Sequence, residues 1–298
     1  MAHIQLGMAW SQWAQAGWDL EPSVLIGCAL LLLWYAWATR GRPWARLLAF
    51  VLGDAGLLFA LVSPLDTIAD HFNFSAHMTQ HLILLDWAAP LLLLGVPRAM
   101  AAGWLRHRGV ARIERVLRLP LFAWTIGFGT LALWHWPPLY DLAVAHVGVH
   151  IVEHLAFLVS SVIFWWPVLS PLRASRMPGW AAGFYLFSRM AVDIVVGSVI
   201  ALAPVGLYAG YTNARDLRLG GILMWIPSVV LDMGAIPFAL AFTSANSSQD
   251  GHTVASRFGR GEVAASAGLI AGELAIGKDG GALADQVIAG ASGQGLDG

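Results

Sequence analysis

The sequence predicts an all-α, polytopic membrane helical bundle of about seven transmembrane helices, with the N-terminus out and the C-terminus in. Three observations lead there. The first is composition: of 298 residues 58% are hydrophobic and only 12% are charged, and mean hydropathy is +0.66. A soluble domain carries about 25% charged residues. The second is a series of long, continuous apolar runs, without the short alternating pattern of a membrane barrel. The third is the uneven distribution of arginine between those runs.

A spanning helix needs roughly 17–25 mostly apolar residues. Seven runs qualify: Ser23 to Thr39, Leu47 to Ser63, Ser75 to Gly95, Pro120 to Trp136, Val144 to Leu169, Trp180 to Leu207, and Gly220 to Phe242. The first connection carries Arg40, Arg42 and Arg46. The third carries Arg98, Arg106, Arg108, Arg112, Arg115 and Arg118, and the fifth Arg173 and Arg176. The second and fourth connections have no Lys or Arg, and the sixth has only Arg215 and Arg218. By the positive-inside rule the odd connections are cytoplasmic. The arginine-rich stretch from Trp104 to Leu117 is expected as an amphipathic helix on the inner surface. Trp10, Trp13, Trp18, Trp134 and Trp136 suit an outer aromatic belt. Residues 1–242 thus form the seven-span domain. Residues 243–298, rich in Gly, Ala and Ser, are expected as a flexible cytoplasmic tail in which Val263 to Ile276 forms at most a weak helix.

Several classes are excluded or disfavoured. Net charge is -1 and the basic residues are scattered through short loops, so no nucleic acid partner is expected. Cys28 is the only cysteine, so there is no intrachain disulfide and no thiol motif. The first 22 residues contain no Lys or Arg and lack the basic segment of a signal peptide. A metal site in this chain must use histidine, methionine or carboxylate.

Seven of the ten histidines fall on the outer side of this topology: His71, His77, His81, His135, His146, His150 and His154. His3, His107 and His252 lie elsewhere. Residues four apart share a helix face, so His77 and His81 form one ladder and His146, His150 and His154 another. Neutral imidazole is the commonest metal ligand, and imidazoles at i and i+4 ligate one ion in helical metal sites. The metal-site residues are expected to be His77, His81, His135, His150 and His154, with His146, Glu153 and Met78 as weaker candidates. His71 alone reads as an interface residue. Glu153-His154 stands in the wrong order for the hydrolytic HExxH pattern, so no catalytic residues are assigned and the chain is not expected to be an enzyme. Met78 would suit Cu(I), a soft ion that accepts thioether as well as imidazole.

Asp54, Asp86, Asp193 and Asp232 each fall inside a different span. Intramembrane charges cost a few kcal/mol and usually pair or act. Arg189 precedes Asp193 by four residues, within ion-pair reach. The group reads first as a polar cluster holding the helices together. Its alternative reading is a proton or ion path.

Two stretches resemble a known family. One is His77-Met78-Thr79-Gln80-His81 followed by Ala89-Pro90-Leu91-Leu92-Leu93-Leu94-Gly95-Val96-Pro97. The other runs Trp134-His135-Trp136-Pro137-Pro138-Leu139-Tyr140-Asp141, then His150-Ile151-Val152-Glu153-His154-Leu155 and Phe164-Trp165-Trp166-Pro167. Gly220-Gly221-Ile222-Leu223-Met224-Trp225-Ile226-Pro227 is similar too. Together they resemble the CtaG-type assembly factors of caa-type cytochrome c oxidase, over roughly residues 20–242. The resemblance implies a multi-pass protein of the bacterial inner membrane that assists maturation of cytochrome c oxidase by handling or delivering copper. Its partners would be oxidase subunits or other assembly factors, besides membrane lipid. One departure is Asp216-Leu217-Arg218-Leu219, where the family commonly shows an acidic-Gln motif before the paired glycines. The residues leave three rival functions open: a haem-binding electron-transfer protein with histidine axial ligands, a proton-coupled transporter using the aspartates and, last because no dedicated acid–base pair stands next to the histidines, a catalytic metalloenzyme.

Overall fold

The computed structural model describes residues 17–39, 44–70, 73–231 and 233–237, all α-helical or connecting. His71, Asp232 and the tail expected over 243–298 lie outside the described residues.

Helix α1 is Pro22–Ala38 and α2 is Trp44–Val62, followed by the short α3, Pro64–Asp70. The next span, Phe74–Gly95, runs as α4 (Phe74–Leu82), a π turn (Ile83–Ala88) and α5 (Ala89–Gly95). The arginine-rich stretch divides into α6 (Arg98–Trp104) and α7 (Arg108–Leu117). Then come α8 (Pro120–Trp134), α9 (Pro137–Ala145), α10 (Val147–Leu169), α11 (Gly179–Leu202) and α12 (Ala214–Pro237). Five of these helices are long and apolar enough to cross a membrane: α2, Phe74–Gly95, α10, α11 and α12. A sixth span arises if α7 and α8, bent by 78° at their junction, count as one. α1, at 17 residues, is apolar but shorter. The chain is an all-α, multi-pass membrane protein.

The π turn has a sequence cause. Its wide register bonds Ala89 N to Leu84 O, so the next donor in that register would be residue 90. Pro90 has no N–H, which releases Leu85 O. Ser161 Oγ donates to that carbonyl at 2.6 Å and Trp165 Nε1 at 3.3 Å. The orphaned acceptor of one span is thereby satisfied by α10, and the two helices are fixed against each other. α2 closes on the other side of the same span. A Cβ on Gly53 would lie 2.8 Å from Leu92 N, so only glycine permits this approach. Likewise a Cβ on Gly197 would sit 2.6 Å from Gly221 O, which lets α11 and α12 pack backbone to backbone.

Two expected boundaries need correction. The fifth run was expected from Val144, but Pro137 and Pro138 start a separate helix, α9, and α10 begins only at Val147. The sixth run was expected to reach Leu207; α11 stops at Leu202, just before Pro204, which disfavours helix in the residue preceding it.

Candidate metal centre

Each histidine is placed by a local feature of its helix. Asn73 caps α4 through its side-chain oxygen, which accepts from Ala76 N at 2.9 Å. The carboxylate of Asp216, on α12, accepts from Phe74 N at 2.7 Å and Ser75 N at 3.2 Å. These first-turn N–H groups have no intrahelical acceptor, and a negative charge there complements the helix dipole. Asp216 thus fastens α12 to the histidine-bearing end of α4. The departure noted in Asp216-Leu217-Arg218-Leu219 therefore keeps an acidic side chain with a structural task.

His135 is the residue immediately after α8. Its Nδ1 lies 2.8 Å from Leu131 O. A carbonyl only accepts, so Nδ1 carries the proton and Nε2 keeps the lone pair. Tyr208 OH donates to His135 O at 3.0 Å. On α10 the expected three-rung ladder loses its first member. His146 is the N-cap, at φ -134° and ψ 108°, and its side chain is exposed. His150 and His154 follow on the helix, with Glu153 beside them; His154 is seven residues into α10, ~10 Å along its axis.

These elements converge. His77 Nε2 and His81 Nε2 are 2.8 Å apart. The carboxylate oxygens of Glu153 lie 4.0 Å from His77 Nε2 and 3.6 Å from His81 Nε2. One ligand atom each from His77, His150 and His154 falls within 4.8 Å of the others, and so does the set His77, His81 and Glu153. The His135 ring is centred 5.7 Å from that of His81. All five imidazoles expected as ligands therefore share one cluster, and Glu153, rated weaker in the sequence, stands inside it. Met78 instead lies buried in the apolar core against α12.

The cluster is largely buried: Glu153 is 0% exposed, His77 1%, His81 2%, His135 7% and His154 9%, while His150 is partly buried. Phe157 packs on the His81 ring and Tyr140 on the His77 ring, with centroids at 4.5 Å and 5.4 Å. Yet His81 Nδ1, His135 Nε2, His150 Nε2, His154 Nε2 and both oxygens of Glu153 are buried without a hydrogen bond. An unmatched buried polar atom costs about 1–3 kcal/mol, and more when charged. Nitrogen or oxygen atoms ligating one ion at about 2.0–2.1 Å stand roughly 2.8–4.2 Å apart, the range of the three separations just given. Imidazoles with one carboxylate form a donor set suited to copper or zinc.

The surroundings include residues that periodicity did not single out. Tyr140 OH donates to Tyr211 OH at 3.2 Å, and Phe74 stacks on Tyr208 at 5.4 Å. Burial pushes the Tyr211 phenol up to about 12, so it remains a donor. At the rim, one carboxylate oxygen each of Asp19, Asp66 and Asp70 lies within 4.8 Å of the others. Gln80, between the two histidines of α4, donates to Asp66 Oδ1 at 2.6 Å and Ala60 O at 2.8 Å. Burial first, and Asp70 second, push the Asp66 carboxyl up to about 7 against that hydrogen bond.

Deeper in the bundle the aspartates divide. Arg189 pairs with Asp86, and its Nε lies 3.3 Å from Asp193 Oδ2. Ser228 Oγ donates to Asp86 Oδ2 at 3.2 Å. The guanidinium also faces the Phe164 and Trp165 rings at 5.4 and 5.6 Å. The expected Arg189–Asp193 pair is present, and Asp86 joins it from another span. Asp54 is buried apart from them, on α2 beside Cys28 of α1.

The fold and site define a multi-pass membrane protein with a buried histidine–glutamate cluster at one end of its spans. Residues 29–245 match the cytochrome c oxidase caa3 assembly factor family, and the chain belongs to that family. Curated relatives include protein Mb0105 of Mycobacterium bovis and protein MT0111 of Mycobacterium tuberculosis, each 26% identical over 247 residues, covering 72% of this chain and 36% of the relative. Protein ML1998 of Mycobacterium leprae is 25% identical over 216 residues, covering 62% of this chain and 32% of the relative. The chain thus spans about a third of the length of these relatives. No solved structure gives a significant match.

Proposed function

We propose that this protein assists assembly of cytochrome c oxidase in the bacterial inner membrane by taking up a copper ion at the outer face and passing it to an oxidase subunit or another assembly factor. His77, His81, His135, His150 and His154 would ligate the ion, with Glu153 supplying charge. The proposed topology has seven spans, counting α1 and α8, with the N-terminus out, the C-terminus in and the residue 243–298 tail in the cytoplasm. The arginine distribution supports it. The copper is cargo, and no catalytic role is assigned.

The observation that carries this reading is the set of six buried polar atoms without a hydrogen bond on His81, His135, His150, His154 and Glu153. Neutral imidazoles offer lone pairs without charge repulsion. The Glu153 carboxylate neutralises a monovalent ion in full and a divalent one in part, which matters where the local dielectric is low. Without a thiolate the ion is held less tightly than in a cysteine site, which favours transfer. A haem between these histidines is a poorer reading, because ring centroids only 4.2–6.0 Å apart leave no gap for a macrocycle. For the aspartates, a structural ion-pair cluster is favoured over a transport path because Arg189 engages both Asp86 and Asp193.

The test is a cell lacking this gene and complemented with His77→Ala/His81→Ala or His150→Ala/His154→Ala. Oxidase activity is expected to fall under copper limitation while the protein remains in the membrane, and added copper restores part of it, since occupancy of a weakened site rises with ligand concentration. Normal oxidase levels in both variants under copper limitation would defeat the proposal.

A further inference from the structure

Where α11 and α12 cross, their glycines bring the backbones together and a cavity opens beside the crossing. A Cβ on Gly221 would lie 2.5 Å from Ala201 N, and one on Gly197 would lie 2.6 Å from Trp225 Cδ1, so the indole is seated against α11. Ser198, Ala201 and Leu202 form one wall, at i, i+3 and i+4 of α11. Arg218, Ile222 and Trp225 form the other, at i, i+4 and i+7 of α12. The space between them is about 480 Å³, within the ~300–1,000 Å³ of ligand sites. It lies towards the histidine-bearing end of the spans, because Asp216, two residues before Arg218, caps α4 at Phe74 and Ser75.

The polar groups of this cavity are one-sided. Arg218 is exposed and makes no ion pair among the described residues. Its neighbour in sequence, Asp216, is engaged by the N–H groups of α4. None of the lining side chains is acidic. Two turns further into α12, ~10 Å along its axis, Trp225 Nε1 is buried without a hydrogen bond. An indole N–H and a guanidinium both donate and never accept. The cavity therefore calls for acceptors at two depths, with negative charge at the Arg218 level. Its remaining wall is apolar and turned outward: Leu202 is 85% exposed and Ile222 39%.

We infer that this cavity binds an anionic phospholipid, with its phosphate on the Arg218 guanidinium, an ester carbonyl accepting from Trp225 Nε1, and an acyl chain along Leu202 and Ile222. The guanidinium fork suits phosphate oxygens. Tryptophan serves such a position because its ring is apolar and its N–H needs a polar partner. Inorganic phosphate at Arg218 would leave the deeper N–H unmatched and the apolar wall uncovered, so a lipid is the better occupant.

The experiment uses the purified full chain in mixed micelles of neutral detergent with phosphatidylglycerol or phosphatidylcholine, and native mass spectrometry reads retained lipid. Retention of phosphatidylglycerol is expected to exceed that of phosphatidylcholine by about fivefold, the worth of one arginine near a membrane surface. Arg218→Gln should erase the preference. Arg215→Gln, with the same change in charge one turn away but outside the cavity, should keep it. Arg218→Lys should recover part of it and guards against misfolding of the glutamine variant. Trp225→Phe should lower retention of both lipids by about threefold while their ratio holds, since both carry ester carbonyls. Equal retention of the two lipids by the native chain, equal loss of preference in Arg215→Gln and Arg218→Gln, unchanged retention in Trp225→Phe, or displacement of phosphatidylglycerol by millimolar inorganic phosphate would each overturn the inference.

Discussion

The histidine–glutamate cluster and the Asp86–Arg189–Asp193 cluster are built on overlapping helices and are both buried, yet the second sets an arginine between its carboxylates, leaving only Asp193 Oδ2 without a hydrogen bond, and the first leaves most of its polar atoms unmatched. Asp86 is met by Arg189 and Ser228, and Arg189 also lies beside Asp193 and two aromatic rings. In the histidine cluster, the Glu153 carboxylate has no hydrogen bond and four imidazoles each have an unbonded nitrogen. A membrane protein tolerates intramembrane charge when that charge ties spans together. It tolerates a buried set of unmatched lone pairs when a cation is to occupy it. The aspartate–arginine cluster is therefore read as structural and the histidine–glutamate cluster as functional, and substitutions separate the two.

The largest effect is expected at the matched cluster. Asp86→Ala leaves the Arg189 cation with a poorer partner and should lower folding stability by about 3–5 kcal/mol. Thermal unfolding in detergent reads this, while copper bound per folded molecule stays as in the native chain. Loss of copper binding without loss of stability would reverse the assignment of the two clusters.

His150→Ala/His154→Ala should behave in the opposite way. Copper affinity is expected to fall by at least about 100-fold, since even losses outside the ligand shell cost 10–100-fold. Metal-free stability should hold or rise, because two unmatched buried nitrogens disappear with the rings. A large drop in the unfolding temperature of the metal-free protein would show that these histidines hold the fold.

A smaller effect is expected where α12 meets α4. Asp216→Ala removes the carboxylate that caps Phe74 and Ser75 and should cost about 0.5–2 kcal/mol. Amide exchange at the start of α4 should quicken, and an unchanged rate would show that Asn73 suffices as the cap.

Much of this was legible in sequence, for physical reasons. Long apolar runs mark spanning helices because a helix satisfies every backbone polar group within one segment whereas a barrel strand alternates, and the ladders at residues 77/81 and 150/154 follow from helix period alone. Helix period misled at His146: the spacing fits a third rung, but the chain turns there between α9 and α10, with no Gly or Pro adjacent to mark the break. Arg189–Asp193 is a local pair and was readable; Arg189–Asp86 joins residues 103 positions apart and was not. The same holds for Asp216, which caps a helix 142 positions earlier, and for Tyr208 against His135. Glu153 ranks only as a weaker candidate in the sequence because its partners, His77 and His81, stand on α4 and not on its own helix.

The smallest effect concerns pH at the rim. Asp66 is raised to about 7 in the folded protein, mainly by burial. Its unfolded value is near 4, so the folded state binds the extra proton between those values. Its contribution to stability is fully present below about pH 4 and is lost as pH rises through about 7. Asp66→Asn should flatten the decline in unfolding temperature between about pH 5 and 8, leaving copper affinity at pH 7 little changed. An unaltered slope would place the titration elsewhere.

The central claim is that the buried histidine–glutamate cluster binds a metal ion, and equilibrium dialysis of the purified full chain against buffered copper tests it most directly. The account predicts about one copper retained per chain, with nitrogen hyperfine structure in the Cu(II) spectrum from imidazole ligation, and loss of both in His77→Ala/His81→Ala. A native chain that leaves dialysis with no more copper than this variant, or with copper lacking nitrogen ligands, would contradict it.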